Sequence, residues 1–581
     1  MRSINLNGLE IHAGAGTSRV TERLGQWHAE NVAARIWRGD GSVWVKDPLL
    51  AQDTPELSNR LGWLDLPATM VESLVEIEGF VAEVKAVGFT RAVVLGMGGS
   101  SLIAEVWAGV FGAAQGFLPV TILDSTYPLA VAGIAASGDL ATTLFLVSSK
   151  SGGTLETLSF FNFFYDKLSR LKENPGENFV ALTDPGSKLE VLARERGFRK
   201  IFPTPAEVGG RYSALTPFGL LPAALLGLPL KTLLQRAQLM MAACAVGIKV
   251  ADNPALRLGA FMGELARSGR DKLTLVLSSK LQPFAVWLEQ LIAESTGKKG
   301  NGLVPVIVAG YDDLPFSGRD DKPANDRLYL FLRLADDDNT AFDQAWSRVR
   351  TTSEPAALIT LAERVDLAQE IWRFEMATAA AGAVLEINPF DQPDVEAAKI
   401  GARQAMLAWQ ESGSLPVLAR LVDEVDLKVS GSQQFVGIAD LNDALERFMS
   451  AAVFGDYIAL LVYLPQSHEL ASSLELLQQQ LQQRCRVPVT IGYGPRFLHS
   501  TGQLHKGDGN HGLFLQISGG AAADDLPLPG SGYSFATLIA AQAQGDYQAL
   551  LQAGRRILAI TLSDLKYDAI CRFLQEMSDN L

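Results

Sequence analysis

Ser149-Lys150-Ser151-Gly152-Gly153-Thr154 sets three hydroxyls and one ammonium in a short polar break. The break lies between the apolar run Leu144–Val147 and a helical pattern that begins near Leu155. A strand-loop-helix aims the unpaired N–H groups of the helix start into the loop, so the segment suits a phosphate dianion. The same hydroxyls also suit a turn that caps its own helix. It is not a Walker loop, because GxxxxGKS and GxxxxGKT are absent.

Three other stretches carry groups able to move protons. Glu294 closes an apolar helical pattern, PFAVWLEQLIAES, with Gly297 as its stop. A carboxylate there faces the negative end of the helix dipole, which disfavours its charge and makes it a better base; a solvated glutamate beside Lys298 and Lys299 is the alternative. Asn388-Pro389-Phe390-Asp391-Gln392-Pro393 is a proline-bounded turn entering a helix with Lys399, which places the Gln392 carboxamide and the Lys399 ammonium about two helical turns apart. His499, His505 and His511 fall within RFLHSTGQLHKGDGNH. Their spacing is not that of a helical metal pair and no cysteine is near, whereas general acid–base work needs only one of them.

Gly96-Met97-Gly98-Gly99-Ser100-Ser101 follows the apolar run Arg91–Leu95. Ser101 stands where a dinucleotide fingerprint needs its third glycine, and a nucleophile elbow would need glycine after the serine, so these glycines read as a strand end that a ligand can approach. Val208-Gly209-Gly210-Arg211-Tyr212-Ser213 is a glycine-flanked arginine ahead of proline-broken apolar helices.

The chain has 581 residues and a net charge of −14, which argues against nucleic acid or an anionic membrane as partner. Any anion must be held by local positive groups. Cys244, Cys485 and Cys571 are too few and too scattered for a disulfide framework or a CxxC site, in keeping with a reducing cytoplasm. The N-terminal MRSINLNGLEIHAGAG has no apolar signal core, and Tyr212–Leu230, broken by Pro217, Pro222 and Pro229, reads as a buried helix pair.

Positioning these groups requires an α/β scaffold. Residues 1–88 read as helical, around Val20–Trp37 and Met70–Val87. Arg91–Leu95, Val120–Leu123, Leu144–Val147 and Phe179–Leu182 alternate with helices, the pattern of a parallel, helix-covered sheet. LTLVLSSK at Leu273–Lys280 echoes LFLVSSK at Leu144–Lys150 and starts a second such sheet near Lys272, continued by Leu303–Val308 and Leu328–Arg333. A helical stretch, Thr340–Arg420, precedes further strands at Tyr457–Leu464, Val487–Gly492 and Leu513–Ile517. Ser473–Arg484 has the leucine spacing of a surface helix, Ser518–Ser534 is a loop, and a last helix and strand close the chain.

Together these pieces resemble the phosphoglucose isomerase family, built on paired sugar-isomerase (SIS) domains. Ser149–Thr154 is similar to the SIS phosphate loop, with Glu156-Thr157 where the isomerases carry ET. Gly96-Met97-Gly98-Gly99-Ser100 resembles GxGGS, Gly209–Ser213 matches GGRYS, Glu294-Ser295 matches the ES before GK, Phe390-Asp391-Gln392 with Lys399 matches FDQ and its lysine, and His499–Gln503 resembles HSxGQ. The likeness is closest to isomerase halves fused to transaldolase, although no length remains for a transaldolase barrel. It implies two doubly wound αβα SIS domains, at 89–245 and 246–581, behind a helical region at 1–88 and with a helical insertion near 340–420.

The resemblance also implies an aldose–ketose isomerase that interconverts D-glucose 6-phosphate and D-fructose 6-phosphate in glycolysis and gluconeogenesis. It implies a cis-enediol and no metal or organic cofactor. Ser149, Lys150, Ser151 and Thr154 would hold the phosphate, and Gly99, Ser100, Gly210 and Gln392 would line the sugar. Glu294 would carry the proton, Arg211 would stabilise the enediolate, and His499 with Lys399 would open the ring. The histidine would come from a partner subunit in a homodimer with shared sites. A mannose or amino sugar phosphate isomerase, or a sugar-phosphate-binding regulator, are the alternatives. One departure stands out: His499 follows Lys399 by 100 residues, where typical members have the histidine first. The second sheet would then be wired in a different order, or His505 would take the place of His499.

Overall fold

The computed structural model describes residues 8–308, 310–312, 314, 324–519, 526–563 and 566–579. The first seven residues and part of the Ser518–Ser534 loop (520–525) lie outside them. Three sheets organise the chain.

The first runs Val120–Leu123, Arg91–Gly96, Thr143–Ser148, Phe179–Thr183, Lys200–Pro203, every pair parallel. Its central strands are unbroken apolar runs, which a parallel sheet covered by helices on both faces demands. Thr143–Ser148 is buried at every residue. The Leu155–Ser169 helix covers it with phenylalanines, and Phe164 stacks on Phe145 at 4.7 Å between centroids.

The second sheet runs Leu9–His12, Ala356–Leu361, Arg327–Leu334, Lys272–Leu277, Val304–Ile307. Two of these strands depart from the sequence reading. Ala356–Leu361 lies inside the expected helical stretch, because a six-residue apolar run does not distinguish a strand from a buried helix. Leu9–His12, within the expected helical region, pairs antiparallel with it at the sheet edge.

The strands after 420 do not extend the second sheet. Val422–Asp423, Leu427–Gly431, Arg556–Leu562, Gly512–Gly519, Tyr457–Tyr463 and Val489–Tyr493 form a third one, parallel over its last four strands. Residues 246–581, read as one domain, therefore carry two sheets. The leucines of the His468–Cys485 helix (Leu470, Leu474, Leu477, Leu481) are buried against one face of the third sheet, as their spacing requires. A helix at Tyr567–Asp579 follows the last strand, where the sequence reading ended the chain with that strand.

The other face of the third sheet packs on its neighbours. Tyr457, Leu461 and Phe514 meet Val304 and Val306 of the second sheet and Tyr127 beside the first. The Phe535–Gln552 helix reaches further, laying Phe535 parallel to Phe160 at 6.2 Å. Glu396–Ser412, the helix that carries Lys399, crosses it at two glycines. A Cβ on Gly545 would stand 2.4 Å from the Ala402 nitrogen, and one on Gly401 would stand 2.9 Å from the Gly545 Cα. The Pro217–Leu225 helix is buried throughout, and no described helix is long and apolar enough to cross a membrane.

Gly545→Ala should therefore destabilise the protein in urea unfolding by about 1–3 kcal/mol, the usual cost of overpacking a tight contact. Gly133→Ala is the control. It sits on the exposed face of the Pro128–Ala136 helix with open space around the added Cβ, so it should leave stability unchanged or raise it by up to about 1 kcal/mol.

Candidate active site

A cavity of about 530 Å³ opens at the carboxyl ends of the first sheet's central strands, walled also by the Phe284–Thr296 and Glu396–Ser412 helices and the Arg496–His499 turn. Gly99, Ser100, Lys150, Ser151, Thr154, Gly210, Arg211, Glu294, Gln392, Lys399 and His499 all line it. Ser149 lies beneath the wall, its Oγ 2.9 Å from the Thr154 Oγ1.

Because Thr154 is engaged with Ser149, its side chain does not cap the Leu155–Ser169 helix. The loop can thus offer helix-start N–H groups and the Ser151 hydroxyl to a dianion. Gly152 holds a left-handed φ of +67°, and a Cβ there would stand 2.3 Å from the Leu189 nitrogen. Lys150 is engaged inside the protein: its ammonium donates to Asp184 at 2.5 Å, and burial pushes its pKa down against that pairing.

The glycines after Arg91–Gly96 admit protein backbone as well as the cavity. A Cβ on Gly99 would stand 2.2 Å from the Gly210 oxygen, and one on Gly98 would stand 2.7 Å from the His499 oxygen. The approach that the sequence reading gave to a ligand is made by the Gly210 and His499 segments.

Glu294 and Arg211 face each other at 3.2 Å, both nearly inaccessible to solvent. Arg211 spends its remaining donors on Ser295 Oγ (2.8 Å), Gln392 Oε1 (2.9 Å) and the carbonyls of Pro389 (2.6 Å) and Asp391 (2.8 Å). Lys298 clamps the same turn, donating to the Asn388 and Asp391 carbonyls, and burial pushes its ammonium down to about 7. Gly297 caps the Glu294 helix, where a Cβ would stand 2.4 Å from the Leu504 Cα. The helix bearing Lys399 starts only at Glu396, so the 388–395 turn, and not two turns of one helix, brings Gln392 to the cavity. Lys399 is partly exposed, 3.7 Å from Glu396, and Gln392 is exposed as well.

His499 reaches the cavity from the same chain. Its Nε2 is 3.1 Å from Glu156 Oε1, and its carbonyl accepts from Gln290 Nε2 at 2.7 Å. Gln290 also donates to Glu294 at 3.1 Å, so one carboxamide joins the helix of Glu294 to the His499 turn. Glu156 accepts a further bond from Gln542 (2.7 Å), which in turn accepts from Thr126 (2.7 Å). Burial pushes the Glu156 carboxyl up, but the His499 ring beside it and a backbone N–H bring it below its ordinary value.

His505 lies elsewhere. It is buried among Tyr457, Phe497 and Phe514, where burial pushes its imidazole far below the ordinary value, and it does not line the cavity. Sequence reasoning gave no role to Glu156, Gln290 and Gln542. Gln290 carried a signal, being four residues before Glu294 and so on the same helix face. Gln542, about 40 residues beyond His499, carried none.

The phosphoglucose isomerase family model matches residues 78–303. A glucose-6-phosphate isomerase of Thermosynechococcus vestitus is 31% identical over 440 residues, covering 70% of this chain and 81% of the relative. One from Cyanothece sp. is 29% identical over 415 residues, covering 64% and 75%. A hypothetical protein of Thermus thermophilus superposes with a TM-score of 0.57 at 24% identity, covering 68% of this chain and 99% of the other. A Chlamydia trachomatis glucose-6-phosphate isomerase gives 0.50 at 18% identity, covering 58% and 74%. The two superpositions bear on the fold.

The Glu156–His499 pair should be visible in acid unfolding. A carboxyl held below its unfolded value stabilises the fold at pH above that value, and the contribution is lost as pH falls through the folded one. The stability advantage of the natural protein over Glu156→Gln should be constant near neutrality and shrink on acidification below about pH 4.5. Parallel curves in urea titrations across that range would count against the pair.

Proposed function

The chain belongs to the phosphoglucose isomerase family, and we propose that it interconverts D-glucose 6-phosphate and D-fructose 6-phosphate by proton transfer through a cis-enediol, a step of glycolysis and gluconeogenesis. What carries this reading is that Glu294, Arg211, Gln392, Lys399 and His499 face a single cavity with the Ser151–Thr154 loop.

In this reading the phosphate docks on the loop hydroxyls and the start of the Leu155–Ser169 helix. Lys150 and Ser149 act as braces, because their polar groups are engaged with Asp184 and Thr154. His499, oriented by Glu156, moves a proton at the ring oxygen while the Lys399 ammonium assists, and the ring opens. Glu294 then takes the C2 proton and returns it at C1, one carboxylate sufficing for both transfers. Arg211, immobilised by its hydrogen bonds, offers fixed positive charge to the enediolate oxygen as it develops. Gly99, Ser100, Gly210 and Gln392 shape the sugar subsite. The proton transfers call on side chains alone, so turnover should survive EDTA.

Every group in this scheme lies on one chain, His499 included, so no group from a second copy is needed to line the site. A homodimer would then be an assembly of complete sites. The three free cysteines fit a cytoplasmic protein.

The decisive assay is conversion of fructose 6-phosphate, with and without EDTA. Glu294→Gln should lose at least about 1,000-fold in kcat, the weight of a positioned base together with its charge, and still bind the sugar phosphate. Retained turnover would remove Glu294 as the base. Mixing Glu294→Gln with His499→Ala chains should restore nothing. Recovery towards a quarter of natural activity in the mixture would show that histidines are exchanged between subunits.

A further inference from the structure

We propose that the cleft beside the N-terminal strand is a second anion site, shaped for a small organic dianion: a phosphate monoester or a dicarboxylate. The cleft also measures about 530 Å³ and shares no residue with the cavity described above. It lies between the Leu9–His12 strand, the start of the Thr17–Ala29 helix, the Pro254–Arg267 helix and the end of the Thr340–Thr351 helix.

Its cations lack directly paired counter-ions. Arg257 and Arg350 line the cleft, and neither guanidinium has a hydrogen bond or ion pair among the described residues. Arg350 sits over the Trp346 ring at 5.7 Å, and His12, also in the wall, packs against that ring at 5.9 Å. Behind Arg257 stands Arg373, itself buried; burial and that like charge disfavour the Arg257 cation, and the charge of Asp252 offsets them only in part. The carboxylate in the wall, Glu354, is already held by Arg270 at 2.7 Å.

In a chain of net charge −14, gathering unpaired guanidiniums in one concavity is costly unless an anion joins them. The guanidinium fork matches phosphate and carboxylate oxygens two at a time, and two such forks call for a dianion. At the start of the Thr17–Ala29 helix, Thr17 adds no free donor, since its N–H and hydroxyl both turn back to the Gly14 carbonyl, so the two guanidiniums carry the site. The volume exceeds what inorganic phosphate fills and is in the range of small-molecule sites.

Isothermal titration of the full chain with glycerol 2-phosphate, which has no carbonyl to isomerise, and with succinate tests this. Glycerol 2-phosphate can also occupy the Ser149–Thr154 loop, so the titrations use a Ser151→Ala/Thr154→Ala background. Binding of at least one probe there, weakened about tenfold or more by Arg257→Gln/Arg350→Gln, is expected, and the probe that binds identifies the ligand class. In the natural background the arginine changes should leave fructose 6-phosphate turnover intact. Arg350→Gln alone, at the end of a surface helix, should give a partial loss and serves if the double variant misfolds. No binding of either probe at millimolar concentration, or binding unmoved by the arginine changes, overturns the proposal.

Discussion

A guanidinium taken out of water must find an acceptor for each of its N–H groups, and Arg211 meets that demand with groups from separate parts of the chain. Ser295 and Glu294 come from one helix, and Pro389, Asp391 and Gln392 from the turn before another. Charge-assisted bonds of this kind are worth roughly 1.5–3 kcal/mol each, and leaving such a charge buried without them costs more than the bonds return. The turn and the helix therefore have one low-energy arrangement around Arg211. That arrangement sets a carboxylate against a fixed cation at the cavity wall. The position of the catalytic base candidate is thus a consequence of satisfying an arginine.

The same constraint explains why glycines gather nearby. Once Arg211 fixes the Gly210 segment, Gly99 has to accept its carbonyl at a distance no side chain tolerates. Gly98 likewise admits the His499 carbonyl, which Gln290 also binds. These contacts are backbone against backbone, so segments far apart in sequence lie closer than any side chain would allow. The third sheet delivers His499 through this seam, and the close crossing of Gly401 and Gly545 keeps its flanking helix beside that of Lys399.

Four of the five strands of the first sheet were legible because each is a short, mostly apolar run ending in a polar or glycine break, a signal local to the sequence; the fifth, the edge strand Lys200–Pro203, has no such run and was missed. The cavity-lining motifs were legible for a similar reason: Ser151, Arg211, Glu294, Gln392 and His499 each sit in compact, recognisable surroundings. Leu9–His12 and Ala356–Leu361 were missed because a four- or six-residue segment becomes a strand through the partner it pairs with, and that partner is distant. The third sheet was missed for a related reason. Nothing in the pattern of Tyr457–Tyr463 says which sheet it joins; the burial of its far face against Val304 and Val306 does.

Roles were less legible than places, and Lys150 shows why. An ammonium between two serines in a phosphate-type loop invites assignment to the ligand, yet Asp184, from the next strand's end, takes its charge. Conversely Glu156 entered only as part of an ET dipeptide, with no role given to it. It becomes a histidine partner only when the third sheet brings His499 and Gln542 to it. In the first case the deciding residue is a charge from the neighbouring strand, in the second a ring and an amide from a different sheet layer, so the chemistry of a motif is completed by topology. This bears on the order of the lysine and histidine motifs as well. What a site requires is that the two groups converge, and a third sheet docked on the first two supplies that convergence with Lys399 and His499 in either order along the chain.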